Sequence, residues 1–293
     1  MSVPAPLLDS LVDYAGLFPP AKLGIAEAVH NHASYLAGPH RSMLGRFIVP
    51  LASLPEFEAA FARLHASERQ GWRLSVIGTA EPAADWDAIN SFHSRHADAR
   101  IVSLEVKAGH AAEVARISSA LPPLLEVWIE LAPRAPDLPV LLAAIKGAGR
   151  GAKLRTGGVT PDAFPAAAEV GRFLRLCHEA GVVLKATAGL HHPLRGDYRL
   201  TYEAGSPQVR MFGFLNVFLA AALIRQGGAE ADVLALLEES DAGAFTVGTE
   251  AVVWRGHRFG VAQLADTRKH LCRSFGSCSF TEPVEGLQEI SWL

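Results

Sequence analysis

Ala152-Lys153-Leu154-Arg155-Thr156-Gly157-Gly158 and Val183-Leu184-Lys185-Ala186-Thr187-Ala188-Gly189 read as two strands of similar design, each carrying a lysine and ending in Thr and Gly. The stretch between them from Pro161 to Glu179 reads as a loop and a helix. Strand, crossover helix and strand make a βαβ unit, in which the strands are parallel neighbours and both lysines point the same way. A lysine on a buried strand is costly unless it is paired or used. Two side by side disfavour each other's charge, which predicts a lowered pKa. A neutral amine is what Schiff-base chemistry on a carbonyl requires. The alternative is that one or both lysines pair with a carboxylate on a neighbouring strand.

Working outward, apolar runs alternate with amphipathic ones. Strands are predicted at Leu11–Ala15, Arg46–Leu51, Trp72–Gly78, Arg100–Val106 and Leu124–Leu131. Helices are predicted over Ile25–Leu36, Glu56–Ser67, Ala84–His96, Ala111–Ser119 and Leu138–Gly147, with Pro55 at a first-turn position. The lysine strands are then sixth and seventh. Seven β–α repeats point to a closed (β/α)8 barrel rather than an open sheet. For the eighth strand the candidates are Phe245–Val247 and Leu271–Phe280. The intervening 190–270 stretch is too long for one loop. It reads as an insertion packed on the barrel, with helices over Phe214–Gln226 and Asp232–Glu239 and a hairpin at Phe245–Phe259. The whole chain, 1–293, is expected to form a single barrel domain.

The 293 residues, 49% hydrophobic and 19% charged, fit one large globular domain or two small ones, and the apolar content excludes disorder. A net charge of −3 without a basic run argues against nucleic acid or an anionic membrane as partner. Asp9 and Asp13 interrupt any signal-peptide pattern, and Phe212–Ile224 is too short to span a bilayer. Cys177, Cys272 and Cys278 form neither a disulfide framework nor a zinc motif, so a reducing cytoplasm is the expected location.

A barrel of this kind works at the C-terminal ends of its strands. Side chains alternate along a strand, so inward positions follow from parity. Ser103, Glu105 and Lys107 should face the axis of the fourth strand, and Glu126, Trp128 and Glu130 that of the fifth. Lys153 and Arg155 share the inward face of the sixth strand; Lys185, Thr187 and Gly189 share that of the seventh. With Asp13 on the first strand, seven charged groups (Asp13, Glu105, Lys107, Glu130, Lys153, Arg155 and Lys185) collect on the axis. That is more than a structural brace needs and looks like a site. Arg155, two residues after Lys153, should supply a fork for a carboxylate or phosphate.

Lys153…Thr156-Gly157 followed by Lys185-Ala186-Thr187-Ala188-Gly189 resembles deoxyribose-phosphate aldolase and its class I relatives. The opening Leu11-Val12-Asp13-Tyr14 and the terminal Phe275-Gly276-Ser277-Cys278-Ser279 are similar to that family's first strand and to its phosphate-binding turn after the eighth. The resemblance implies that Lys153 forms the Schiff base, that Lys185 lowers its pKa, and that Asp13 and Glu105 move protons. It also implies substrate contacts from Thr156, Gly157, Thr187, Gly189, Ser277 and Ser279, joined by Arg155, Lys107 and Glu130. Arg155 and His191-His192-Pro193 depart from the family pattern, and the match does not reach residues 191–270. The chain also resembles a bacterial family with no assigned role.

The expected activity is therefore a cofactor-free lyase acting on a small anionic carbonyl compound; the sequence leaves room for a homo-oligomer. A second reading takes His191, His192 and Glu130 or Glu105 as ligands of a divalent metal in a lyase or hydrolase, although adjacent histidines diverge on regular structure. A third is a barrel that binds an anionic ligand without catalysis. For Cys278, no partner base is identifiable in the sequence.

Overall fold

The computed structural model describes residues 3–293. Eight parallel strands close into a barrel: Val12–Tyr14 (β1), Leu44–Pro50 (β2), Trp72–Ile77 (β3), Ala99–Lys107 (β4), Glu126–Leu131 (β5), Gly151–Arg155 (β6), Leu184–Thr187 (β7) and Cys272–Ser277 (β8). Neighbours in this sequence are neighbours in the barrel, and β8 closes on β1 with Val12 opposite Phe275. The fold is a (β/α)8 barrel.

Period-two alternation sets both surfaces of the sheet. Leu104, Val106, Val127, Ile129, Leu154 and Ala186 belong to the buried apolar core beneath the helices. The intervening positions face the axis. Helices at Ile25–Ala37, Leu54–Phe61, Pro82–Arg95, Ala111–Ser119, Leu138–Gly147, Ala167–Ala180, Phe214–Arg225 and Thr281–Glu289 each follow a strand. Pro55 does sit in the first turn of its helix.

Of the two candidates for the last strand, the Leu271–Phe280 stretch contains it. Phe245–Gly248 belongs instead to a three-stranded antiparallel sheet with Ala251–Trp254 and His257–Gly260, one strand more than the expected hairpin. A second small sheet, Gly196–Arg199 with Gln208–Met211, follows β7. Its strands are short and largely polar, so they carried little sequence signal. Phe214–Arg225 is buried at every position from Phe214 to Ile224. Phe214 stacks on Phe275 of β8 at 5.1 Å, and helices Glu230–Leu237 and Val261–His270 cover the other faces, so the helix needs no polar side.

Trp128 points inward on β5 and is fully buried, with Gly151 as its register partner on β6. A Cβ at position 151 would run into the indole ring. Gly151→Ala should therefore lower unfolding stability by about 1–3 kcal/mol through overpacking. An unchanged urea midpoint would show that the ring can move aside.

Candidate active site

Inside the barrel, acids and bases alternate along one connected chain. At its lower end Lys185 Nζ lies 2.6 Å from Asp13 Oδ2 and 2.7 Å from Glu105 Oε1. Glu105 Oε2 lies 2.9 Å from Lys153 Nζ, which lies 2.8 Å from Glu130 Oε2. Arg155 Nε donates to Glu130 Oε1 at 3.1 Å, and Lys107 Nζ stands 3.8 Å from the same oxygen. Lys153 and Lys185 are register partners on adjacent parallel strands, as the βαβ spacing predicts. Hydroxyls extend the network: Ser75 donates to Glu105 at 2.7 Å, Ser103 to Ser75 at 2.7 Å, and Arg46 to Ser103 at 3.0 Å. Arg46 N–H and Ser274 Oγ hold the two oxygens of Asp13.

This arrangement corrects the expectation of a neutral Lys153. The two amines do not face each other bare, because the Glu105 carboxylate bridges them. Burial works against the charge on Lys153, but Glu105 and Glu130 more than offset it, and its pKa lies above the ordinary lysine value. Burial likewise opposes charge on Glu105 and Glu130. The neighbouring lysines, and for Glu130 also Arg155, nevertheless hold both carboxyls below their usual range. At rest the site is an ion-pair ladder.

Above the ladder a cavity of about 360 Å³ opens at the C-terminal ends of the strands. Of the residues singled out from the sequence, Glu105, Lys107, Glu130, Lys153, Arg155, Thr187, Gly189, His191 and His192 line it. Asp13 and Lys185 lie beneath the floor, so they reach the cavity only through Glu105. Thr156 and Gly157 lie outside the lining as well. The Thr156 hydroxyl donates to the carbonyls of Thr187 and Ala188 at 3.1 and 2.6 Å. Gly157 and Gly189 (φ +74°) touch beneath the ring of Phe164, where Cβ atoms would not fit. Ser277 and Ser279 serve the turn after β8. Ser277 Oγ accepts the N–H of Ser279 at 3.3 Å, and Ser279 Oγ accepts that of Glu282 at 3.1 Å.

Glu282 itself, unforeseen from the sequence, brings a carboxylate to the end of the barrel where the resemblance places a phosphate. His191 Nδ1 lies 2.9 Å from Glu282 and 4.0 Å from Cys278 Sγ. The hydroxyl of Tyr202, from the small sheet after β7, donates to Glu282 at 3.0 Å and lies 3.6 Å from the same sulfur. Cys278 thus has a histidine beside it after all. Tyr202 sits in a polar hairpin loop with no motif to mark it, whereas Glu282 was findable as an acid in the first turn after the last strand. Ile48 and Ile77, also in the lining, were findable by the same strand parity that found Glu105.

The metal reading required His191, His192 and a glutamate to converge. Instead His191 turns to Glu282, His192 stacks on Tyr198 with 3.5 Å between ring centroids, and Glu130 is committed to Lys153 and Arg155. Among the described residues no group of three His, Cys, Asp or Glu side chains could hold a metal ion. No helix among them is long and apolar enough to cross a membrane.

Burial opposes charge on His191, but its contacts with Cys278 and Glu282 favour it and push its pKa up to about 10. A raised folded-state pKa means that the folded protein binds the extra proton between the ordinary histidine value and about 10. The stabilisation is full below that window and is lost as pH rises through it. Urea midpoints should therefore fall between pH 6.5 and 10 in the wild type, with a flatter slope in His191→Gln. Identical slopes would mean that His191 is neutral throughout.

No protein-family model, curated protein or solved structure matches the chain.

Proposed function

We propose that the protein is a lyase of the class I aldolase type, in which Lys153 forms a Schiff base with a small anionic carbonyl compound. The observation that carries this reading is the Lys153 amine on the floor of the cavity, held between two carboxylates with a second lysine in register on the next strand. A lysine needed only as a brace has no use for a substrate-sized cavity above it.

The raised pKa sets the first step. Lys153 must give up a proton before its amine can attack, and Glu130, which also lines the cavity, is 2.8 Å away. Lys153 and Arg155 help to hold Glu130 ionised. An anionic substrate that draws Arg155 and Lys107 to itself leaves Glu130 more basic, and the proton passes from Lys153 to Glu130. The free amine adds to the carbonyl carbon. Glu130 returns that proton to the oxygen, then carries a second proton from the adduct nitrogen to the resulting hydroxyl, which leaves as water, so that an iminium with one N–H remains on Lys153. Glu130, again a carboxylate, takes the proton of the substrate's β-hydroxyl. The carbon–carbon bond breaks, its electron pair enters the iminium, and an aldehyde leaves. Protonation and hydrolysis of the enamine release the second product. Lys185 and Asp13 act from below by fixing the charge and position of Glu105.

Incubating the protein with a panel of anionic aldehydes and ketones, adding borohydride and mapping peptides by mass spectrometry tests this reading. A reduced adduct on Lys153 is the expected result. Adduct on Lys107 or Lys185 would move the nucleophile. No adduct from a compound that binds saturably in the cavity would make the protein a ligand-binding barrel.

A further inference from the structure

The opposite end of the barrel holds a second cavity, of about 370 Å³, whose lining includes Asp13, Arg46, Arg73, Glu126, Arg268 and Arg273. Four guanidinium groups face two carboxylates, and Asp13 is already taken by Lys185. Glu126 alone is left to answer the arginines, clasped by Arg46 on one side and Arg273 on the other. Among the described residues Arg268 has no carboxylate partner. It spends its donors on the backbone carbonyls of Pro6, Leu7, Asp9, Ser10 and Arg273, and its burial lowers its pKa to about 10. Arg73, on the lowest inward position of β3, makes no hydrogen bond or ion pair among the described residues. Even with Asp13 counted in full against the arginines, the lining carries an excess of two positive charges in a concave space, with Arg73 exposed to solvent. Ser10 stands among the lining side chains with a hydroxyl to offer, whereas that of Ser274 is donated to Asp13.

We infer that this basal cavity is a binding site for a small dianion of the phosphate type, held by Arg73 together with Arg46 and Arg273. Two uncompensated charges match one dianion, and guanidinium forks suit its oxygens. The cavity admits a small anion or a small phosphate monoester, not a folded partner. The site is independent of the chemistry proposed for Lys153.

Isothermal titration of the full chain with inorganic phosphate at low ionic strength tests the inference. Glycerol phosphate in a parallel titration separates a free phosphate from an esterified one. Saturable binding is expected, at least tenfold weaker in both Arg73→Gln and Arg73→Glu. Arg73 is exposed and has no partner among the described residues, so both variants should fold, and the glutamine variant serves should the charge reversal not. Because Arg155 at the other mouth could also take an anion, Arg155→Gln is the control and should leave this binding intact. Tighter binding of either phosphate form supports the site and names its ligand. Absence of saturable binding of both, binding unchanged in both Arg73 variants, or binding lost in Arg155→Gln alone would overturn it.

Discussion

Lys153→Ala should lower kcat/KM for any substrate found by borohydride trapping by at least about 10³-fold, equivalent to roughly 4 kcal/mol of transition-state stabilisation, and should abolish trapping. A proton-positioning role for Lys153 would instead leave trapping on another lysine. The companion variant is Lys185→Met. Lys185 neutralises part of the charge on Glu105, so its loss leaves Lys153 facing a stronger negative field. The Lys153 proton is then harder to remove, and the pH at which trapping is half-maximal should move upward while the adduct stays on Lys153. An unchanged or lower pH profile would mean that Glu105 does not transmit charge between the two amines.

The second large effect concerns folding. Glu105 is buried with both oxygens committed, one to Lys185 and Ser75 and the other to Lys153. Removing one member of a buried ion-pair network costs about 3–5 kcal/mol, because it leaves charge without a partner. Glu105→Ala should show that loss in urea unfolding. Glu105→Gln keeps the shape and part of the hydrogen bonding, and should lose less. The pH response has a defined sign. The folded-state pKa of Glu105 lies below its ordinary value, so its stabilisation is full above the carboxylate range and disappears as pH falls. Lys153 behaves oppositely: its raised pKa gives stabilisation that is present below the ordinary lysine value and lost as pH climbs. Both variants should therefore lose most at intermediate pH and show a flatter pH profile of stability than the wild type. A loss under 1 kcal/mol in Glu105→Ala would mean that the lysines find other partners.

The barrel was legible because its strands alternate cleanly and its helices recur at even spacing. The same parity placed Glu105, Glu130, Lys153 and Arg155 on one axis before any coordinate was known. What parity could not give was protonation. Like-charged neighbours predict a neutral amine only if nothing stands between them, and the side chain between them belongs to β4, some 50 residues upstream of β6 in sequence. Tyr202 and the basal arginines were hidden for different reasons. Tyr202 sits on a hairpin whose short polar strands carry no period. Arg46, Arg73, Arg268 and Arg273 are scattered along the chain and meet only through barrel closure.

That closure has a consequence for how the chain is made. β1 is three residues long and takes one of its two edges from β8, where Val12 pairs with Phe275. On a ribosome the first strand must wait for all the residues between Tyr14 and Cys272 before that edge is filled. The helix Phe214–Arg225, apolar except for Asn216 and the terminal Arg225, emerges in the meantime without the β8 surface that Phe214 and Phe218 pack against. Synthesis therefore passes through a stage with an open sheet edge and a greasy rod together, the pairing that invites self-association and holding by chaperones. Yield of native protein on overexpression should depend on how quickly β8, Cys272–Ser277, follows that helix out of the exit tunnel.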